Sequence, residues 1–365
     1  MGSAISSCIQ QLPPLDNLIH PTPETYVLLL NIFQYFPAIS LIQWLTSFHP
    51  AGKTSLKSSL FNLPGRWAWF TMEIISPLNL IYLLYSLPRK YSLPPLPLAN
   101  KLLAALFITH YINRAIISPF FAAPSMSPIH LGIVLSAAVF NWLNSGSLGG
   151  WLLGYRLTLV PDGNGPAIPT AGEVGYAIKT AIGILGLSLF ILGMGCNIHS
   201  ERTLFRLRRE EALRRWEKKS YSTFLKDGGN MYSKVYTIPP PTGLFKTILY
   251  PHYVAEWVEW IGFAILGSII ITSTSPAPFT SSPNTAGTLI SMSRPELHLA
   301  PWLIPVAKLA DWAGVGFPVP AVVFVVNAVT NMLPHARWGR VWYVERFGEG
   351  RVAGRGAVVP FVSWL

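Results

Sequence analysis

Four short constellations carry the side chains able to do chemistry. In RWAWFTMEIISP, Arg66, Trp69 and Glu73 stand three and four residues apart, which places them on one side of a helix. HYINR brings His110, Tyr111 and Arg114 within about one turn. FILGMGCNIHSERTLFRLRR carries Asn197, Glu201 and Arg208, which fall within about 40° of one another if the helix runs on. In PHYVAEWVEW, His252, Glu256 and Glu259 fall within about 60°. Each group lies in or at the end of an apolar run, where an ionisable side chain costs about 2.5–3.5 kcal/mol and therefore faces a cavity or a partner. Tyr111 beside a protonated Glu73 makes a two-donor site for a ketone oxygen, suited to the enolate formed when hydride adds to a conjugated enone. The plainer reading is a Glu73–Arg pair that serves packing alone. The amide, carboxylate and guanidinium of the third constellation suit an anionic, amide-bearing ligand at the membrane boundary.

The elements that position these groups are membrane helices. Hydrophobic residues make up 51% of the 365, charged residues only 12%, and mean hydropathy is +0.40, so the chain reads as an all-α polytopic membrane protein. Seven apolar runs approach the roughly 20 residues needed to cross a bilayer: 26–46, 67–87, 98–121, 129–153, 176–195, 247–272 and 318–333. The last is the shortest. Between the sixth and seventh lies a variable insertion, 273–317, Ser/Thr/Pro-rich at first and then apolar but punctuated by proline, to be read as a loop, a re-entrant piece or a half-helix. No repeat or soluble domain divides residues 25–365.

The net charge of +11 comes from 27 Lys and Arg concentrated between spans, the positive-inside pattern rather than a nucleic-acid surface. The basic segment 196–244 and the arginine-bearing tail belong on the cytosolic side, and five spans before that segment put residues 1–24 in the lumen. That location argues against using the myristoylation pattern at Gly2 and Ser6. Cys8 and Cys196 form no disulfide framework, and the eight histidines lack metal-ligand spacing. Neither GMGCNI nor GEGRVA has the strand–turn–helix setting of a dinucleotide fingerprint. The IPPPTGLF turn before the sixth span carries Gly243, read as a point of close backbone approach, and Arg340 and Tyr343 among the aromatic residues of the tail could cover a nucleotide.

Taken together, the stretches LPGRWAWFTME (63–73), HYINR (110–114), FILGMGCNIHSERTLFRLR (190–208), YTIPPPTGLFKTILYPHYVAEWVEWIG (236–262) and the terminal WY…F…VVPF resemble the steroid 5α-reductase family. The resemblance implies a seven-helix endoplasmic-reticulum protein that uses NADPH to reduce the 4,5 double bond of 3-oxo-Δ4 steroids or similar lipid enones. It implies that Glu73 and Tyr111 hold the 3-keto oxygen, with Trp69 lining the substrate. Asn197, Glu201, Arg208, Tyr236, His252, Glu256 and Tyr343 are implied for the NADPH site, with Arg114, Gly243 and Arg340 counted alongside them.

The chain departs from the family pattern at Glu201, where an aspartate is usual, and at Thr237, where an arginine is usual. His252 resembles the polyprenol-reductase branch, and no histidine run precedes Tyr343, so Arg340 is the cation available there. The alternatives are a polyprenol or enoyl-thioester reductase of the same family, an isoprenylcysteine-type methyltransferase, or a reductase-like lipid-binding protein without catalysis, against which Glu73 and Tyr111 argue. The expected partners are an apolar steroid-like or isoprenoid substrate and the bilayer, with no nucleic acid, no metal and no obligate protein partner.

Overall fold

The computed structural model describes residues 13–47, 59–160, 175–217, 231–232, 235–270, 295–362 and 364. Gly2, Cys8 and residues 271–294 lie outside that set. The chain is an all-α polytopic membrane protein. Its helices are α1 (Leu15–Ile19), α2 (Pro23–Gln34), α3 (Phe36–Leu45), α4 (Gly65–Tyr91), α5 (Leu98–Tyr111), α6 (Leu131–Leu152), α7 (Tyr176–Glu217), α8 (Pro251–Ile270), α9 (Ile304–Trp312), α10 (Val319–Phe347) and α11 (Glu349–Val352). A π-helix, Ile112–Ala122, continues α5 without a break.

Among the described residues six helical runs are long and apolar enough to cross a membrane: 23–45, α4, 98–122, α6, α7 and α10. The sixth expected span, 247–272, corresponds to α8, a 20-residue helix packed lengthwise along α7, and the seventh to α10. Helix α7 has 42 residues, about 63 Å at 1.5 Å per residue, roughly twice the hydrocarbon thickness. Residues 196–217, expected to open a basic loop, are therefore helix. Arg, Glu and Leu favour helix, and Arg214 and Arg215 each pair with Glu211 at 2.7 Å, three and four residues away.

Two short strand pairs pin the helices. β1 (Asn62–Leu63) runs antiparallel to β2 (Ile129–His130), with Asn62 opposite His130, and so holds the start of α4 beside the start of α6. β3 (Thr158–Val160) pairs in parallel with β4 (Glu296–His298). The proline-punctuated end of the insertion is thus a strand followed by α9, resting on the core of Leu30, Phe33, Leu159, Leu297 and Leu303.

The tail folds back on the turn before α8. Leu249 and Tyr250 N–H groups donate to Gly356 and Ala357 carbonyls at 3.0 and 2.9 Å. Arg355 is almost wholly buried and donates to the carbonyls of Val352 (2.8 Å), Pro239 (2.9 Å), Arg351 (3.1 Å) and Phe245 (3.2 Å). Burial holds its guanidinium below the ordinary arginine value. Arg355→Met is expected to cost about 3 kcal/mol, because three buried carbonyls and a fourth, part-buried one lose a charged donor together. Thermal unfolding in detergent measures the loss, and limited proteolysis should find the tail cut first.

Candidate active site

The four constellations meet where α4, α5, the π-helix, α6, α7 and α8 converge. Arg114, in the first turn of the π-helix, is the hub. Its Nε donates to Glu73 Oε1 on α4 at 2.9 Å and its Nη1 to Glu256 Oε2 on α8 at 3.2 Å. Asn197 on α7 donates its amide to the same Glu256 oxygen at 3.3 Å. Trp69 lies one turn before Glu73, gives its indole N–H to the Arg114 carbonyl at 3.0 Å, and places its ring 5.1 Å from the guanidinium carbon. The partner of Glu73 is thus Arg114 and not Arg66, which caps the carbonyls of Pro119, Ala123 and Pro124. A π-helix shifts the side chains after it relative to an α-helix, a feature that recurs at functional sites. Here it lets Arg114 and Ser118 face α7 and α8, and Ser118 Oγ donates to Glu201 Oε2 at 2.6 Å.

Glu73 and Tyr111 come together, but through a residue between them. Tyr111 Oη donates to Asn141 Oδ1 on α6 at 3.0 Å, and the Asn141 amide nitrogen lies 3.5 Å from Glu73 Oε2. All three side chains are buried. Behind them, His110 Nδ1 lies 2.8 Å from Glu259 Oε1 against Trp260, so the His252–Glu256–Glu259 face turns its two carboxylates toward α5 and the π-helix.

A row of arginines leads from this cluster along α7. Arg202 Nη2 donates to Asn113 Oδ1 at 3.2 Å. Arg208 donates to Ser125 O (3.0 Å), Ser125 Oγ (2.8 Å) and the Tyr232 carbonyl (3.1 Å), and Arg209 caps the Ala122 carbonyl. Among the described residues, Arg202 Nη1 and Arg208 Nε are buried without a hydrogen-bond partner. Buried cationic donors lacking an acceptor are the condition that an anionic ligand relieves.

The remaining candidates form a second group around the tail. Tyr236 packs edge-on to Trp342 at 5.1 Å under the Arg346 guanidinium. Tyr343 packs against Tyr250 and Phe347. Arg340, expected as a cation for the cofactor, is buried and donates to the Arg355 carbonyl and to Glu349 Oε1, each at 2.8 Å. Gly243 has φ +55°, a backbone angle that favours glycine. His252 packs on Tyr253 at 4.6 Å, one turn before Glu256.

Asn141 and Ser118 escaped the sequence reading. The signal for Asn141 was present: an amide in the apolar run 129–153 is a polar group at membrane depth, and the criterion that picks Glu73 also picks it. Ser118 carries no such signal, since serine closes its own hydrogen bonds within a helix.

The model of the 3-oxo-5-alpha-steroid 4-dehydrogenase family matches residues 127–274. An uncharacterized protein of Schizosaccharomyces pombe, C9.08c, is 26% identical over 352 residues, covering 92% of this chain and 98% of its own length. Steroid 5-alpha-reductase DET2 of Arabidopsis thaliana is 27% identical over 353 residues, covering 95% of this chain and all of its own. The 3-oxo-5-alpha-steroid 4-dehydrogenase 2 of Rattus norvegicus is 29% identical over 213 residues, covering 58% of this chain and 66% of its own.

Proposed function

We propose that the chain is a member of the steroid 5α-reductase family, as its match to the family model over residues 127–274 and its 27% identity to DET2 along 95% of its length support, and that it is a membrane oxidoreductase that reduces the carbon–carbon double bond of a 3-oxo-Δ4 steroid or a similar lipid enone. The observation that carries this reading is the junction at Arg114: a phenol, an amide and a carboxyl on one side, and a carboxylate, an amide and an arginine row on the other. The second side fits a nicotinamide dinucleotide phosphate. Asn197 and Glu256 offer an amide donor and an acceptor to a carboxamide, and Arg202 and Arg208 offer phosphates buried donors that no group among the described residues takes up. NADPH, when bound there, supplies the hydride.

In this mechanism Tyr111 holds the ketone oxygen through its hydroxyl. The carboxyl of Glu73, when it carries a proton, is the second donor, and Glu256 then balances Arg114 alone. Both interactions strengthen as the oxygen gains charge in the enolate, which is the condition for catalysis by differential binding. Hydride adds at the β-carbon, and the α-carbon takes one proton from solvent or an acid as the ketone re-forms. Trp69 closes the site beside Arg114 and keeps it dry. The reading also places the protein in the endoplasmic-reticulum membrane, with the basic end of α7 and the tail cytosolic and the N-terminal segment lumenal.

Purified protein with NADPH and a progesterone- or testosterone-type enone should consume the two at equal rates and yield the 4,5-saturated ketone by mass. Glu73→Leu and Tyr111→Phe should each lower kcat/KM by about a hundredfold or more, the usual scale for loss of one donor to a developing oxyanion. Untouched steroids together with reduction of a polyprenol aldehyde or an enoyl thioester would move the protein to that branch of the family.

A further inference from the structure

Asn141 lies at the centre of the proposed ketone pocket, and its orientation is fixed. Its Nδ2 donates to the Met72 carbonyl at 2.7 Å. Turned over, the amide would set oxygen against oxygen at that distance, so the end that faces Tyr111 is Oδ1. The Tyr111 oxygen stands 3.0 Å from it. An amide oxygen has no proton, so the phenol supplies one, and tyrosine has a single O–H. The hydroxyl that should hold the substrate ketone is therefore engaged by Asn141.

A bare ketone that takes the Tyr111 hydrogen bond leaves Asn141 Oδ1 buried without a donor. Loss of a donor to a buried acceptor weakens binding by about tenfold or more. A hydroxyl on the carbon next to the ketone removes that loss. The ketone accepts from Tyr111, the hydroxyl donates to Asn141 Oδ1, and the two neighbouring ligand oxygens lie beside two protein oxygens that are themselves 3.0 Å apart. One turn along the same side of α6, Asn144 is wholly buried with neither amide atom hydrogen-bonded among the described residues. That side of α6 thus holds more polar capacity than the protein itself satisfies.

We infer that Asn141 is a specificity-determining residue that selects a carbonyl flanked by a hydrogen-bond donor, such as an α-hydroxy ketone within the enone, over a bare ketone. The inference rests on the reductase reading above and names the polar head of its substrate.

The test compares a 3-oxo-Δ4 steroid with its 2α-hydroxy derivative, using NADPH and the full-length protein in detergent or liposomes. The native protein should favour the hydroxy ketone by about tenfold in kcat/KM, mainly through KM. Asn141→Leu, close in volume, should free Tyr111, raise turnover of the bare ketone and erase the preference. Asn141→Ser, smaller and polar, should give the same reversal if the leucine variant fails to fold. Equal kcat/KM for the two steroids in the native protein, a preference for the bare ketone, or a preference that survives both variants would overturn the inference and leave the reductase reading intact. If neither steroid is reduced, that reading fails. The thermal shift produced by the two 4,5-saturated ketones still decides the inference: greater stabilisation by the hydroxy form, lost in Asn141→Leu, supports it, and equal shifts sink it.

Discussion

Arg114→Met should abolish measurable turnover and lower stability by about 3 kcal/mol. Among the described residues Arg114 is the one cation that touches both Glu73 and Glu256, at 2.9 and 3.2 Å, and both carboxylates are buried. Without it two negative groups face each other with no counter-charge, and breaking a buried pair in this way costs about 3–5 kcal/mol. The lower figure applies because the Arg114 side chain keeps 29% of its exposure. Arg114→Lys retains the charge but not the planar fork, so it cannot hold two carboxylates on different helices, and a partial loss of stability is expected with most of the activity gone. Adding Glu256→Gln to Arg114→Met should restore part of the stability without restoring turnover. Thermal unfolding in detergent and NADPH-dependent reduction separate the two effects, and wild-type stability in Arg114→Met would show that the carboxylates do not depend on it.

The second large effect is expected at the contact of α7 with α8, where glycine is obligatory. A Cβ at Gly193 would lie 2.5 Å from the Glu259 nitrogen and 2.7 Å from the Ala255 carbonyl oxygen. Gly186 and Gly262 are equally close to backbone, at 2.6 Å from Leu266 N and 2.5 Å from Phe190 N. Backbone cannot rotate aside as a side chain can, so a methyl group must push the helices apart. Gly193→Ala is expected to destabilise by about 3 kcal/mol, and activity should fall with it, since Asn197 meets Glu256 across the next turn of the same interface. Gly195 is the control. A Cβ there meets nothing within 4 Å, so Gly195→Ala should be neutral or add up to about 1 kcal/mol from helix propensity alone. If both variants unfold at the same temperature, the close approach is not what holds the two helices together.

Much of the site was legible because charge in an apolar run is conspicuous. Glu73, Arg114 and Glu256 stand out by cost alone, and helical spacing correctly aligned Glu256 with Glu259 and Trp69 with Glu73. Partnership was harder to read. Glu73 had Arg66 seven residues away on its own helix, yet the contact is with Arg114, because Arg66 is taken by the carbonyls of Pro119, Ala123 and Pro124 while Arg114 in the π-helix reaches across to α4. Arg340 shows the same dependence on distant partners: among aromatic residues in a basic tail it reads as a cation for a nucleotide, and the fold-back of the tail brings it against the Arg355 carbonyl and Glu349.

The sequence by itself determined the class of protein, the helices and the residues that bear charge inside them, since burial cost and periodicity are properties of single segments. Only the tertiary structure decided that Asn141 stands between Tyr111 and Glu73, that α7 continues as helix to Glu217, and that Arg114 joins the two halves of the site. The physical reason is that hydrogen-bond partnership depends on a few tenths of an ångström between helices distant in sequence, and no local pattern encodes that distance.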